Sequence, residues 1–472
     1  MTISPPPHFV IFPFMAHGHT TPLLYLSRIL SDRGVTVTLI TTPANYSSVK
    51  STLKNNSISV IDLPFAENIP GVPPGVEITD NLPCMSSFVK FIEATKQLQP
   101  GFEQVVRTLP SVTCIISDGF LIWTQDSADK LGIPRLIFYG TNIFSMTMCN
   151  IVAQFKPHAG IGNKVFPVPG FGRFKLTADD FDPPFNEPNP KGPALEFLIS
   201  QQKAMARSHG MVVNSFYELE HEFNEYWNRN YGPKAWLVGP FCVAKVPAAV
   251  PMSGGAPITV EKPTWIQWLD KKLIANEPVL YVSFGTQAEA STEQLREVAI
   301  GLEQSNKSFM WVVKPKQLQF IGPGFKERVK GRGIVVAEWV DQMEILKHEI
   351  VCGFLSHCGW NSMLESMCAG VAVLAMPLMA EQHLNARIVV EEIGMGLRLW
   401  PRGRVARGMV GAEEVAKMVV ELMEGEGGKR VRKRVKEVGE SAYGAMKEGG
   451  SSSTMLDSLI DHVCGARVRS MA

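Results

Sequence analysis

The sequence predicts an α/β chain of two domains, each a parallel sheet covered by helices. Three observations point there. Short, β-branched apolar runs alternate with longer amphipathic ones, the alternation breaks once and restarts, and 472 residues leave room for two domains of ordinary size. In the first half the strand candidates are Phe9–Phe14, Val35–Thr41, Ile58–Leu63, Val112–Ser117, Arg135–Tyr139 and Met211–Asn214. Helical spacing fills the gaps, as in Thr21–Ser31, where Leu23, Leu24, Leu26, Ile29 and Leu30 share a face. Strands that alternate with helices pair in parallel, with right-handed connections and helices on both sheet faces. Val243–Pro263 is rich in Pro, Ala and Gly without helical period and reads as a linker. After it come strand candidates Val279–Phe284, Phe309–Lys314, Gly333–Glu338, Ile350–Leu355 and Val371–Ala375. Gly449–Thr454 breaks the chain again, and Ser453 or Thr454 is expected to cap a helix to about Val463. The domains so read are residues 1–242 and 264–450, joined by 243–263, with 451–472 a helix crossing back to the first domain.

Composition excludes several classes. With 45% hydrophobic and 19% charged residues the chain has material for real cores and none of the bias of a disordered protein. A net charge of +1 argues against nucleic acid or an anionic membrane surface as the main partner. The one basic run, Lys429 to Lys436, carries valines at helical spacing and reads as a solvated helix face. Eight scattered cysteines form no CxxC pair, so zinc is not expected, and buried free thiols in a reducing compartment account for them. The N-terminus lacks the basic and apolar segments of a signal peptide, and no apolar run is long enough to span a membrane. A cytoplasmic protein is expected.

In open α/β sheets ligands sit beyond the carboxyl ends of strands, so polar residues there matter most. The densest cluster follows the strand near Leu355: Ser356-His357-Cys358-Gly359-Trp360-Asn361-Ser362, with Glu365 one turn into a helix. A glycine allows close backbone approach, and a helix N-terminus favours an anion. Asn361, Ser362 and His357 add donors, making a credible diphosphate seat; a capped helix with a satisfied histidine is the plainer account. Ser283-Phe284-Gly285-Thr286 is a second, weaker anion site. Glu381-Gln382 combines acceptor and donor groups suited to sugar hydroxyls, and Trp339 could stack on a base. In the first half, the opening strand runs into His17-Gly18-His19, and Asp118 ends another strand. A histidine there suits a general base, and a carboxylate could orient it. No GxSxG elbow, P-loop or GxGxxG follows a strand, which argues against serine hydrolases, P-loop enzymes and NAD enzymes.

These residues together resemble the plant secondary-product UDP-glycosyltransferases. That family's 44-residue signature opens W-x-x-Q, passes through H-C-G-W-N-S and E, and closes on an acidic residue and Q; here it runs from Trp339 to Gln382 with every key spacing kept. The resemblance covers essentially the whole chain. It implies the GT-B fold, two Rossmann-like doubly wound domains facing across a cleft. It also implies roles. Trp339 and Val340 would hold uracil, Gln342 and Glu365 the ribose. His357, Gly359, Asn361, Ser362, Ser283 and Thr286 would hold the diphosphate. Trp360, Glu381 and Gln382 would read the sugar, with Thr141 also near it. Trp360 and Gln382 resemble users of UDP-glucose. Asp341 departs from the more common Pro, and Glu381 from the more common Asp. His19, rather than His17, would be the base, because the family's catalytic histidine follows the glycine.

The expected reaction is a single displacement with inversion, His19 taking the acceptor proton and Asp118 stabilising the imidazolium, without a metal or other cofactor. UDP-glucose is the expected co-substrate. The expected acceptor is a small aromatic such as a flavonoid or phenol, lined by Met85, Phe88, Phe120, Trp123, Phe144, Met146 and Met379. Each of these is also a plausible core residue. O-glycosylation is favoured over C-glycosylation, and a non-catalytic UDP-sugar-binding protein is the alternative from another class. A monomer is expected.

Overall fold

The computed structural model describes residues 6–53, 57–82, 87–244 and 262–471. Fifteen strands appear among them: β1 (His8–Phe12), β2 (Thr36–Thr41), β3 (Ser59–Asp62), β4 (Val112–Asp118), β5 (Arg135–Phe138), β6 (Phe166–Val168), β7 (Phe171–Leu176), β8 (Gly210–Val213), β9 (Ala235–Leu237), β10 (Val279–Ser283), β11 (Ser308–Val312), β12 (Gly333–Val336), β13 (Val351–Ser356), β14 (Val373–Ala375) and β15 (Gly396–Arg398). They form a seven-stranded sheet ordered β3-β2-β1-β4-β5-β8-β9, a six-stranded sheet ordered β12-β11-β10-β13-β14-β15, and a β6-β7 hairpin. Both large sheets are parallel throughout; the hairpin is antiparallel.

The first sheet is buried on both faces, as its apolar runs require. Along β1, Phe9 and Ile11 point to one core and Val10 and Phe12 to another. The Phe9 core takes in Leu23, Leu26 and Leu30 of the helix His17–Asp32 and Leu456, Leu459 and Val463 of the last helix, Ser451–Met471. The Val10 core takes in Phe91, Phe102 and Trp123 from three further helices. Each such fully buried side chain contributes roughly 1.5–3 kcal/mol. In the second sheet, Val279 and Tyr281 of β10 pack with Trp265, Ile266 and Leu269 of the helix Thr264–Ile274.

The observed strands fall within a residue or two of those expected. Pro13 ends β1 early, because it has no N–H for the ladder. The hairpin, β9 and β15 lie outside the expected strands; β6, β9 and β15 are three-residue runs too short to show a period, and the six residues of β7 do not alternate strictly. The last helix starts at Ser451, earlier than expected, so Ser453 and Thr454 lie inside its first turn and do not cap it. Ser452 Oγ instead donates to Gly239 O at 2.6 Å. The basic run lies in the helix Glu426–Met446 with Val431 and Val435 buried, a solvated face backed by a core stripe. The described cysteines are free thiols; Cys84 lies outside the described residues.

Two compact units emerge: Met1–Ile143 with Gly192–Ala256 and Gly444–Ala472, and Phe144–Lys191 with Pro257–Tyr443. Residues 144–191 therefore group with the second unit, although the sequence reading placed them in the first. The reason is polar. Arg387 Nε donates to Asp180 Oδ1 at 2.9 Å, Arg407 donates to the carbonyls of Asp179 (2.7 Å) and Phe181 (2.9 Å), and Ser145 Oγ donates to Asn385 Oδ1 at 3.1 Å. Residues 245–261, most of the expected linker, lie outside the described residues. No described helix is long and apolar enough to cross a membrane.

One buried cation ties the first sheet together. Arg135, fully buried on β5, donates from Nε to Ser117 Oγ (2.6 Å), from Nη1 to Ser208 Oγ (3.0 Å) and from Nη2 to Asp118 O (3.3 Å). Desolvation lowers its pKa to about 10, so it stays charged at neutral pH. Arg135→Ala is expected to cost about 3 kcal/mol, through lost packing and orphaned acceptors, read as a lower urea midpoint.

Candidate active site

Each large sheet reverses its strand order beside its first strand. β1 lies between β2 and β4, and β10 lies between β11 and β13. At such a reversal the connections leave in opposite directions, opening a crevice at the strand ends where ligands bind. His19 and Asp118 stand at the first of these places and Ser283 and His357 at the second.

In the first unit, the chain leaves β1 through Pro13 and Phe14 and enters the helix His17–Asp32, which puts His19 in its first turn. Asp118 closes the neighbouring β4. His19 Nδ1 lies 2.6 Å from Asp118 Oδ2, and Asp118 is 0% exposed. The other carboxylate oxygen accepts from Phe120 N at 2.9 Å. Asp118 is therefore an anchored acceptor for the His19 Nδ1–H, which fixes the orientation of the ring. His17 pairs with Asp80 instead, so the two histidines of the turn have different carboxylate partners.

Aromatic rings surround His19. Phe120 lies 5.2 Å from its ring and Phe14 5.7 Å, centroid to centroid. Phe88 meets Phe120 edge-on at 5.7 Å, and Phe197 stacks on it at 6.0 Å. Of the expected acceptor-pocket residues, Phe120 thus packs on His19 and Phe88 on Phe120. Trp123 is 4% exposed, packs on Phe12 and Phe102 instead, and donates to Thr95 Oγ1. Phe144, 0% exposed, packs on Phe174 in the second unit, which also carries the half-buried Met146 and Met379. Met85 lies outside the described residues. Phe14 and Phe197 were missed; Phe14 carried a signal as the last aromatic before the turn, while Phe197 carried none.

In the second unit, the row Val312, Ser283, Ser356, Ala375 crosses the ends of adjacent strands. Beyond Ser356, Cys358 adopts φ +67°, and its N–H bonds to Ser356 Oγ at 3.1 Å. This sharp turn delivers Gly359 to the N-cap of the helix Trp360–Ala369. The His357 ring is pressed between two glycines. A methyl on Gly285 or on Gly359 would lie 2.6 Å from His357 Nε2, so both must be glycine for the ring to sit there. Desolvation lowers the His357 pKa to about 4, which leaves the imidazole neutral at physiological pH with one N–H to donate.

The signature also closes on itself. Gln342 Nε2 donates to Glu365 Oε2 at 2.6 Å and to Ser362 Oγ at 3.0 Å. Tyr281 OH donates to Gln342 Oε1 at 3.2 Å, a partner unreadable inside a strand run. Burial raises the Glu365 pKa to about 7. Trp339 is 37% exposed, which leaves a face for stacking, while Val340 is buried in the core. Trp360 is 1% exposed, so its indole packs inward. Gln382 Oε1 accepts from Leu378 N and Met379 N, both at 3.1 Å, which leaves Nε2 as the donor. Asn385 Nδ2 donates to Cys358 O at 2.9 Å and, more weakly, to Glu381 Oε1 at 3.5 Å, bracing the two loops. Its place one turn beyond Glu381 was the available signal. Asp341 caps the helix Gln342–Leu346 by accepting from Glu344 N at 3.0 Å, which accounts for its presence where Pro is common. Thr286 is exposed at the loop tip, and Asn361 lies half-buried in the first helical turn.

Comparison with known proteins identifies the family. A family model described as UDP-glucoronosyl and UDP-glucosyl transferase matches residues 257–424. UDP-glycosyltransferase 90A1 of Arabidopsis thaliana is 47% identical, over 98% of this chain and 97% of that protein. The chain belongs to the UDP-glycosyltransferase family. UDP-glucose flavonoid 3-O-glucosyltransferase 7 of Fragaria ananassa is 33% identical over 96% of this chain and 95% of its own length. The crystal structure of Glycyrrhiza uralensis UGT73P12 with glycyrrhetinic acid 3-O-monoglucuronide superposes with a TM-score of 0.87 at 28% identity, covering 99% of this chain and 97% of that one. The fold is the two-domain GT-B fold of these enzymes. Among the glycosyltransferase's described residues no group of three or more His, Cys, Asp or Glu gathers to hold a metal.

The neutral state of His357 can be measured. Its imidazole should titrate near pH 4 by nitrogen-detected NMR, well below an ordinary histidine. Gly359→Ala should displace the ring toward water, raise that pKa by about 1 unit or more and weaken UDP binding about tenfold or more.

Proposed function

We propose that the enzyme transfers glucose from UDP-glucose to a hydroxyl of a small aromatic acceptor such as a flavonoid or another phenol. The observation that carries this is the 2.6 Å bond between His19 Nδ1 and Asp118 Oδ2 at the strand reversal of the first sheet. A phenol has a pKa of roughly 10, so a base that removes its proton during attack matters at neutral pH. The aromatic rings around His19 suit a flat acceptor, and the flavonoid glucosyltransferase among the relatives supports the same class.

In the reaction, His19 Nε2 takes the acceptor proton as the oxygen attacks the anomeric carbon. The new C–O bond forms as the bond to the UDP oxygen breaks, with inversion. Asp118 balances the imidazolium that results. The diphosphate carries away the bonding pair, and the N-terminus of the helix Trp360–Ala369, neutral His357, Asn361, Ser362, Ser283, Thr286 and Gly359 meet the growing charge. Trp339 stacks on uracil, with the Val340 backbone at its edge. Gln342 and Glu365 take the ribose hydroxyls. Glu381, Gln382 and Thr141 contact the sugar, and Trp360 shapes its seat from within. The first compact unit holds the acceptor and the second the donor. The protein works as a cytoplasmic monomer, with UDP-glucose as co-substrate and no metal.

Incubation with UDP-glucose and a phenolic panel should yield a hexose adduct that acid hydrolysis returns to free aglycone. An acid-resistant product would mean a C–C bond and overturn the O-transfer reading. His19→Ala should lower kcat about 10²–10⁴-fold with UDP affinity unchanged; near-wild-type turnover would remove His19 from the mechanism. Glu365 is ionised above about pH 7 and protonated below it. UDP-glucose affinity, measured by calorimetry, should therefore weaken as pH falls through that value. Glu365→Gln should flatten the dependence.

A further inference from the structure

A glycine beside a catalytic base needs a reason, and three are usual: a left-handed φ, a neighbour too close for a side chain, or room left for a ligand. Gly119, just after Asp118, has the second reason. A methyl there would lie 2.0 Å from a carbon of the Tyr139 ring. Gly140, just beyond β5, has neither of the first two. It is absent from the positive-φ residues, and among the described residues a methyl on it would meet nothing nearer than Gly18 O at 3.4 Å, ordinary van der Waals contact.

That methyl would, however, lie 3.5 Å from His19 Cε1 and 3.6 Å from Nε2. Nδ1 is committed to Asp118, so Nε2 is the nitrogen that must receive the acceptor proton. An attacking oxygen has to come within about 2.6–3.2 Å of it. The next residue, Thr141, has a buried Oγ1 with no hydrogen-bond partner among the described residues. A bare α-carbon thus lies beside the working edge of the base, and the residue that follows it carries an unsatisfied hydroxyl. Backbone conformation and packing leave Gly140 unexplained; ligand passage explains it, and explains the waiting hydroxyl beside it.

We infer that Gly140 is a specificity-determining residue. It keeps the approach to His19 Nε2 wide enough for acceptor hydroxyls flanked by a ring substituent. The inference rests on His19 being the base. A side chain at 140 would leave an unhindered phenol room to rotate its ring away from the new methyl. An ortho-substituted phenol has its own methyl on that side and loses the freedom to do so. One misplaced methyl in a fitted site typically costs about 10–200-fold in kcat/KM.

The test compares a phenol the enzyme turns over with the same phenol carrying a methyl ortho to the reacting hydroxyl. Gly140→Ala should lower kcat/KM at least about tenfold more on the ortho-methyl compound than on its parent. UDP affinity and Tm should not change, because the methyl clears every described neighbour. Equal losses on both acceptors would overturn the inference. So would a wild-type enzyme that itself rejects the ortho-methyl compound, or a Gly140→Ala protein that fails to fold. His19→Ala, run in parallel, separates the two claims. If it abolishes turnover while Gly140→Ala treats both acceptors alike, His19 stands as base and Gly140 is ordinary. If it retains turnover, the assignment of the base itself falls.

Discussion

A parallel sheet that begins in its middle must send its connections two ways. β1 has β2 on one side and β4 on the other, and β10 has β11 and β13. The chain cannot cover the strand ends at that point, because every connection leads away from it. Four of the groups assigned to the reaction stand at these reversals. His19 follows β1 and Asp118 ends β4; Ser283 ends β10 and His357 follows β13. Both sheets are dry on their faces, so their carboxyl ends are where such groups can be both held and reached.

The two histidines show how burial sets chemistry. His19 stands against a wholly buried carboxylate that is itself fixed by a backbone N–H, so an imidazolium at this position would find its counter-charge already in place. His357 is pressed between Gly285 and Gly359, and desolvation keeps it neutral. One ring is arranged to gain a proton and the other to keep a single N–H. Their intrinsic basicity is the same; their neighbours separate them. Glu365 follows the same logic with the opposite sign, since burial favours its protonated form while the Gln342 amide favours the anion.

The signature from Trp339 to Gln382 is recognisable because it is local. Trp339, Gln342, Ser362, Glu365, Glu381 and Gln382 lie within 44 residues, and their spacing survives in any fold that keeps the strands and turns. The aromatic surroundings of His19 were harder to read. Phe14, Phe88, Phe120 and Phe197 come from four separate stretches, and only packing joins them. Trp123 and Phe144 looked equally suitable in sequence but turned into cores, because a large apolar side chain carries no mark that tells pocket from interior. Residues 144–191 went to the second unit through ion pairs such as Asp180–Arg387, partners separated by 207 positions.

The sequence alone determined the α/β alternation, the family signature and the choice of UDP as donor nucleotide, because each rests on residue type at short, fixed spacing. The tertiary structure decided which histidine meets Asp118, which aromatic rings surround it, and that Gly140 borders the base. Those facts depend on side chains brought together across tens to hundreds of positions, where hydrophobic burial and strand order choose the neighbours and spacing along the chain carries no information.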